Sequence, residues 1–281
     1  IEALEKMLSE PPLIQGKEKF KGKDYSISFE NVRFSYEEDE VLHGVSLSAK
    51  EGTMTALVGE SGSGKSTLAK LLVHYYDVNG GTIRIGGQDI KKMSLEALNQ
   101  QISFVSQEQF LFNTTLLENI RIGKLDATDE EVLAAAKKAQ CNEFLAKLEK
   151  GIYTMAGDGG KQLSGGERQR ISLARAILKN APIIVLDEAT AFVDPENEEK
   201  MNLAIAEIIK GKTVLVIAHR LRSIAGANRI YVMKDGQVAA AGTQEELLKN
   251  SPEYQKLWKA SEESADWSVD VKDSKKEAET I

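Results

Sequence analysis

Between the short apolar run Met54-Thr55-Ala56-Leu57-Val58 and a segment with Leu68, Leu71, Leu72 and Tyr75 at helical spacing lie eight residues, Gly59-Glu60-Ser61-Gly62-Ser63-Gly64-Lys65-Ser66. They fit the pattern G-x-x-x-x-G-K-[ST], and strand, glycine loop, helix is the order that a phosphate cradle needs. Glycines let backbone N–H groups curl around phosphate oxygens, and the helix N-terminus adds partial positive charge. In that arrangement Lys65 reaches the β- and γ-phosphates, Ser66 places its hydroxyl on Mg²⁺, and Thr67 continues the first helical turn. A chain built around this loop is expected to be α/β.

Downstream, Ile183-Ile184-Val185-Leu186-Asp187-Glu188 reads as a buried parallel strand that ends in two acids. An Asp at that edge suits Mg²⁺ through water, and Glu188 can polarise a water toward the γ-phosphate. Apolar runs that end in acids are common, so this signal gains its weight from the glycine loop upstream. A third segment, Leu163-Ser164-Gly165-Gly166-Glu167, opens a helix whose apolar residues Ile171, Ala174 and Leu178 recur at helical spacing. Ser164 and Glu167 have capping-box spacing, and the two glycines leave a second helix N-terminus open to an anion, about 100 residues from the first.

On these segments the chain resembles the nucleotide-binding domain of an ATP-binding cassette (ABC) transporter. Leu163 to Glu167 matches that family's LSGGQ-type signature, with Glu in place of the usual Gln, and the resemblance covers about residues 25–258. It implies ATP and Mg²⁺ as ligands and ATP hydrolysis as the activity. It also implies a head-to-tail dimer, in which the signature Ser164, Gly165, Gly166 and Glu167 of one domain completes the ATP site of a second. Position by position, Tyr36 of Phe34-Ser35-Tyr36 matches the aromatic that stacks on adenine. Gln107 of Phe104-Val105-Ser106-Gln107 matches the loop glutamine that contacts Mg²⁺ and the attacking water and couples to the membrane domain. Glu188 takes the place of the catalytic carboxylate, and His219, after the apolar strand Val214 to Ala218, that of the switch histidine at the γ-phosphate. Asp194 matches the D-loop aspartate, but the usual Ser-Ala-Leu-Asp reads Ala191-Phe192-Val193-Asp194. Thr154 to Gly159 resembles the exporter-type x-loop, with Asp158 in place of Glu.

The implied fold is a P-loop NTPase core with an N-terminal antiparallel β-subdomain and an inserted α-helical subdomain at about 110–178. Strand periodicity begins at Tyr25 and continues in short runs broken by Gly44 and Gly52. Gly80-Gly81 and Gly86-Gly87 bracket a hairpin strand, Thr82 to Ile85. Residues 110–162 read as mostly helical. Strand Ile183 to Leu186, helix Glu196 to Ile209, strand Val214 to Ala218 and a hairpin turning at Asp235-Gly236 follow. Residues 1–24 are expected to be a linker from a preceding membrane domain: an amphipathic helix with Ile1, Leu4 and Leu8 on one face, cut at Pro11-Pro12, then a charged stretch from Lys17 to Asp24. A charged, disordered tail is expected over 259–281, where Trp267 could dock locally.

Composition narrows the partners. With 43 acidic against 36 basic residues and a net charge of -7, there is no basic field to hold DNA. No apolar run approaches the roughly 18–20 residues of a membrane span, and the single Cys141 cannot form an internal disulfide. The start at Ile1 suggests a fragment. The resemblance therefore implies the cytoplasmic ATPase of an exporter-fold transporter, joined to a transmembrane domain of the same polypeptide at the cell membrane and paired with a second nucleotide-binding domain, with no nucleic-acid partner. Two alternatives stand beside it. One is a mainly ATP-binding half of a heterodimer, for which Ala191 leaves room. The other is a soluble ABC ATPase of chromosome maintenance or translation, against which speaks the lack of a long coiled coil between Lys65 and Ser164 or of paired cassettes. For cargo, Ala189 to Asn197 resembles systems that import iron-siderophores, while drug, lipid and peptide remain open.

Overall fold

Six strands form the central sheet of the computed structural model, which describes residues 13, 15–187, 195–218 and 221–262, with backbone alone at 195–198. Their order is β10-β9-β3-β8-β7-β6, where β3 is Met54–Gly59, β6 Ile102–Val105, β7 Ile183–Asp187, β8 Thr213–Ile217, β9 Arg229–Lys234 and β10 Gln237–Gly242. All pairs are parallel except β9 with β10, which are joined by the turn Asp235-Gly236. Both turn residues have positive φ, 46° and 70°, as a two-residue turn of the primed type requires. The sequence expectation of an α/β core with a hairpin at this point holds.

The central strands are buried on both faces, which is why they read as continuous apolar runs rather than alternating ones. On β7, Ile184 and Leu186 pack into a core shared with the helical insert, while Ile183 and Val185 pack toward helix α1, Lys65–Leu72, and the second sheet. That second sheet is antiparallel, with order β2-β1-β4-β5: β1 Ile27–Tyr36, β2 Asp39–Ala49, β4 Gly80–Ile85 and β5 Gln88–Asp89. Alternating Ile27, Phe29, Val32 and Phe34 bury one face of β1 against Leu68, Leu71 and Leu72 of α1.

Helix α2, Leu95–Gln101, leads into β6. The insert consists of α3 Leu116–Arg121, α4 Asp129–Lys138, α5 Asn142–Lys147 and α6 Gly165–Lys179; α7 Pro195–Ile209 and α8 Gln244–Asn250 flank the C-terminal strands. Thr128, Ser164 and Thr243 each begin a helix with a complete capping box, closed by Glu131, Glu167 and Glu246. Among the described residues, no helix is long and apolar enough to cross a membrane.

Several expectations need correction. Gly44 does not break its strand: β2 runs through it, and its φ of 83° lies beside an irregularity in the register, Arg33 pairing with His43 but Val32 with Val45. Tyr75 does not continue the helical face, because α1 ends at Leu72 and Tyr75 is 57% exposed. Residues 110–162 are only partly helical, three short helices and two 3-10 turns among loops. The charged stretch from Lys17 to Asp24 docks on the β-subdomain: Glu18 bridges Met93, Phe20 stacks on Tyr25 at 5.7 Å, and the Lys23 N–H donates to Gly86 O. At the other end, a helix over 252–262 takes in the first four residues assigned to the tail. The amphipathic helix before Pro11-Pro12, and Trp267, lie outside the described residues.

Candidate nucleotide site

Register places the site. Leu57 of β3 pairs with Ile217 of β8, Ile217 with Asp187 of β7, and Leu186 with Val105 of β6. The carboxyl ends of four parallel strands are therefore level, and Gly59, Asp187 and Gln107 follow from one edge. In open α/β sheets this edge is where ligands bind. Glu188 and His219 come one and two residues after β7 and β8 in the chain; both lie outside the described residues, as do Ala191 and Asp194.

The glycine loop has the backbone that its glycines allow. Gly59, Gly62 and Gly64 have φ of 147°, 80° and 94°, and Gly64 is the left-handed N-cap of α1, with no side chain closing its N–H groups. A Cβ at Gly59 would stand 2.1 Å from Met233 O, so only glycine fits there. The Lys65 residue is 4% exposed, and its Nζ donates to Gly59 O at 3.0 Å, Glu60 O at 2.7 Å and Ser63 Oγ at 3.1 Å. A buried ammonium is thus held by the loop on the strand-end edge.

The next residue carries the most informative contact. Ser66 Oγ donates to Asp187 Oδ1 at 3.0 Å across 121 residues of sequence, and Asp187 is 4% exposed. Among the described residues no cluster of three or more His, Cys, Asp or Glu could hold a metal. Two oxygen ligands nevertheless fit Mg²⁺, which keeps several waters and takes the rest of its shell from substrate phosphates.

Beside α1, Tyr36 ends β1 half-buried, its hydroxyl 3.4 Å from Thr67 Oγ1. Its ring meets Phe34 at 4.8 Å and Tyr76 at 5.3 Å, both nearly perpendicular. Tyr36 and Thr67 are thereby brought together beside the phosphate loop. Gln107 is exposed, and its C=O accepts from Gln109 Nε2. The Glu60 side chain takes up with Lys256 of the C-terminal helix at 2.8 Å. That ammonium holds the carboxylate below its usual range. Only the backbone of Glu60 faces Lys65.

Ser164 and Gly165 are exposed, with Gly166 and Glu167 half-buried behind them. Ser164 Oγ accepts from the Glu167 N–H at 3.3 Å, and Glu167 Oε2 accepts from the Ser164 N–H at 2.8 Å. Glu167 thus has a structural duty whatever else it touches. His74 is buried and bonded to Asp77 at 3.1 Å, and His43 lies 3.2 Å from Glu40. The sequence reading missed Tyr76, just past the end of α1, and Lys256, within the helix over 252–262, where no motif marks either.

A P-loop loop-helix on a parallel sheet, its first turn tied to an acid at the neighbouring strand end, with an antiparallel β-subdomain and a helical insert, defines an ATP-binding P-loop NTPase fold. The family model for the ABC transporter matches residues 42–191, and the chain belongs to that family as its ATP-binding domain, an ATPase module. It is 44% identical over 247 residues to an ATP-dependent lipid A-core flippase of Legionella pneumophila (strain Paris), a match over 88% of this chain and 42% of that protein. It is 46% identical over 245 residues to a mitochondrial potassium channel ATP-binding subunit of Pongo abelii, over 86% of this chain and 34% of that protein. The fold matches a solved bacterial Atm1-family ABC exporter with ATP bound, TM-score 0.86 and 36% identity, over 92% of this chain and 46% of that one. The chain spans less than half the length of each.

Proposed function

We propose that this domain hydrolyses ATP to drive transport by an exporter-fold ABC transporter, at the cytoplasmic face of a membrane, as one of two nucleotide-binding domains in a head-to-tail dimer. The observation that carries the reading is the Ser66–Asp187 contact at 3.0 Å, which sets two hard oxygen ligands beside the buried Lys65. Ser66 and Asp187, with Gln107, would hold Mg²⁺, whose role when bound is to neutralise charge on the phosphate oxygens. Lys65 and the open N–H groups of α1 bind and orient the phosphates of ATP, Tyr36 stacks on the base, and Glu188 and His219 orient the attacking water and bear its proton. Little covalent chemistry is asked of the protein, since positioning and electrostatics supply most of the acceleration.

The exposed signature residues Ser164 and Gly165 support the dimer: their helix N-terminus has open N–H groups suited to the ATP of a second chain. A single chain is then a poor ATPase. A groove of about 390 Å³ beside Gln107, lined by Ser106, Glu108, Phe110, Phe112 and Arg175, carries two exposed aromatics, 58% and 52% exposed, suited to receive a transmembrane domain. The relatives are named for different cargoes, and an amphipathic lipid, as in the flippases, is the cargo class to test first.

The test is Glu188→Gln, read by steady-state phosphate release and by mass in solution with and without ATP. The expected result is near-abolished turnover with an ATP-dependent dimer. Undiminished phosphate release would overturn the assignment.

A further inference from the structure

Tyr76 belongs to no motif, yet the fold aims it with care. Helix α1 ends at Leu72, and Val73 is its C-cap. His74 follows at a φ of 59°, its N–H donating to Leu71 O at 3.0 Å and the Tyr75 N–H to Lys70 O at 2.9 Å. Those two bonds, 5→2 and 6→1, make a Schellman motif. His74 occupies the left-handed position, and its buried ring is fixed by Asp77 at 3.1 Å. The motif reverses the chain so that Tyr76 returns over the end of β1. There its ring meets Tyr36 at 5.3 Å and 88°, and Phe34 at 5.5 Å and 49°. With Phe34–Tyr36 at 4.8 Å and 89°, the three rings close a triangle.

Tyr36 is thus tied to the phosphate helix at both of that helix's ends. Its hydroxyl meets Thr67 in the first turn, and its ring meets Tyr76 just past the last. We propose that Tyr76 is a positioning residue for base recognition: it fixes the angle of the Tyr36 ring and couples the base-stacking aromatic to the loop that holds the phosphates. The inference rests on the reading of Tyr36 as the adenine-stacking residue. Tyr76 is itself 40% exposed, so little of the core depends on it, and near-perpendicular aromatic packing is one of the favoured geometries for such pairs.

The test measures binding of Mg-ATP and of inorganic tripolyphosphate to the 281-residue chain and to Tyr76→Ala, Tyr76→Phe, Tyr76→Leu and Tyr36→Ala. Tyr76→Phe keeps the ring and should bind both ligands as the parent does. Tyr76→Ala should bind ATP several-fold to about tenfold more weakly, the span of one aromatic pair, with tripolyphosphate affinity unchanged. Tyr76→Leu keeps apolar bulk without the ring and should resemble Tyr76→Ala, which preserves the test if the alanine variant folds poorly. Equal losses for both ligands would mark a general structural role, and unchanged ATP affinity in Tyr76→Ala and Tyr76→Leu would also overturn the proposal. Tyr36→Ala separates the premises: if it loses no ATP selectivity, the stacking role of Tyr36 fails and the proposal falls with it; if it does while the Tyr76 variants do not, only the proposal falls.

Discussion

Replacing Lys65 with Met removes one charge and keeps most of the stem, so two opposing effects can be weighed. Among the described residues the ammonium donates to Gly59 O, Glu60 O and Ser63 Oγ, each bond worth about 0.5–1.5 kcal/mol net. Its burial also carries a desolvation cost of several kcal/mol. These nearly offset, and the stability of the free domain should shift by no more than about 2 kcal/mol. Binding has no such offset. An ammonium about 4 Å from a phosphate charge is worth roughly 4 kcal/mol at an effective dielectric near 20. Exchanging the loop acceptors for phosphate oxygens takes back about 1–2 kcal/mol. The remaining loss of about 2–3 kcal/mol corresponds to about 30- to 150-fold weaker binding. Isothermal titration of Mg-ATP into folded Lys65→Met, with its urea melt alongside, checks both parts. Parent-like ATP affinity in a folded Lys65→Met would refute the placement of this ammonium in the phosphate site.

Three further outcomes are expected. Glu167→Ala removes the acceptor of the Ser164 N–H and should destabilise by about 1 kcal/mol, lowering Tm by about 2–4 °C in calorimetry, whereas Glu167→Gln keeps an acceptor and should melt close to the parent. Gly59→Ala would place a Cβ 2.1 Å from Met233 O, and urea denaturation should show a loss of roughly 3 kcal/mol or more. Burial pushes the Cys141 thiol from 9.0 up to about 12, so the folded chain keeps a proton that the unfolded chain releases. Stability present below pH 9 should therefore fall as pH rises toward 12, by at most about 1.4 kcal/mol per pH unit. Thiol reagents at pH 8 should label Cys141 only after unfolding.

Much of the local structure was legible because its causes are local. The glycines of the 59–64 loop announce backbone angles that side chains disfavour, and the Ser164/Glu167 pair announces a helix start that the capping box then provides. Asp235-Gly236 names its own turn. Misreadings arose where a local cue met a tertiary partner. Gly44 looked like a strand end, but pairing with β1 carries the strand through as an irregularity. Tyr75 continued a helical period that the left-handed His74 had already ended. The charged run at 17–24 reads only as a linker, while its backbone bonds and Phe20 dock it on the β-subdomain.

The sequence by itself determined that a phosphate loop, an acid-ended strand and a signature helix exist, because each is encoded within a few consecutive residues. Only the tertiary structure decided that the first two meet. Ser66 reaches Asp187 over 121 residues and Lys256 reaches Glu60 over 196, distances that no local pattern spans. The physical reason is strand register: β7 must level its end with β3 and β6 to bury Ile183 to Leu186 on both faces. That burial, rather than any motif, brings Asp187 to Ser66. The aromatic triangle has the same origin, since Tyr76 finds Tyr36 only after α1 packs on β1 and its Schellman turn folds back.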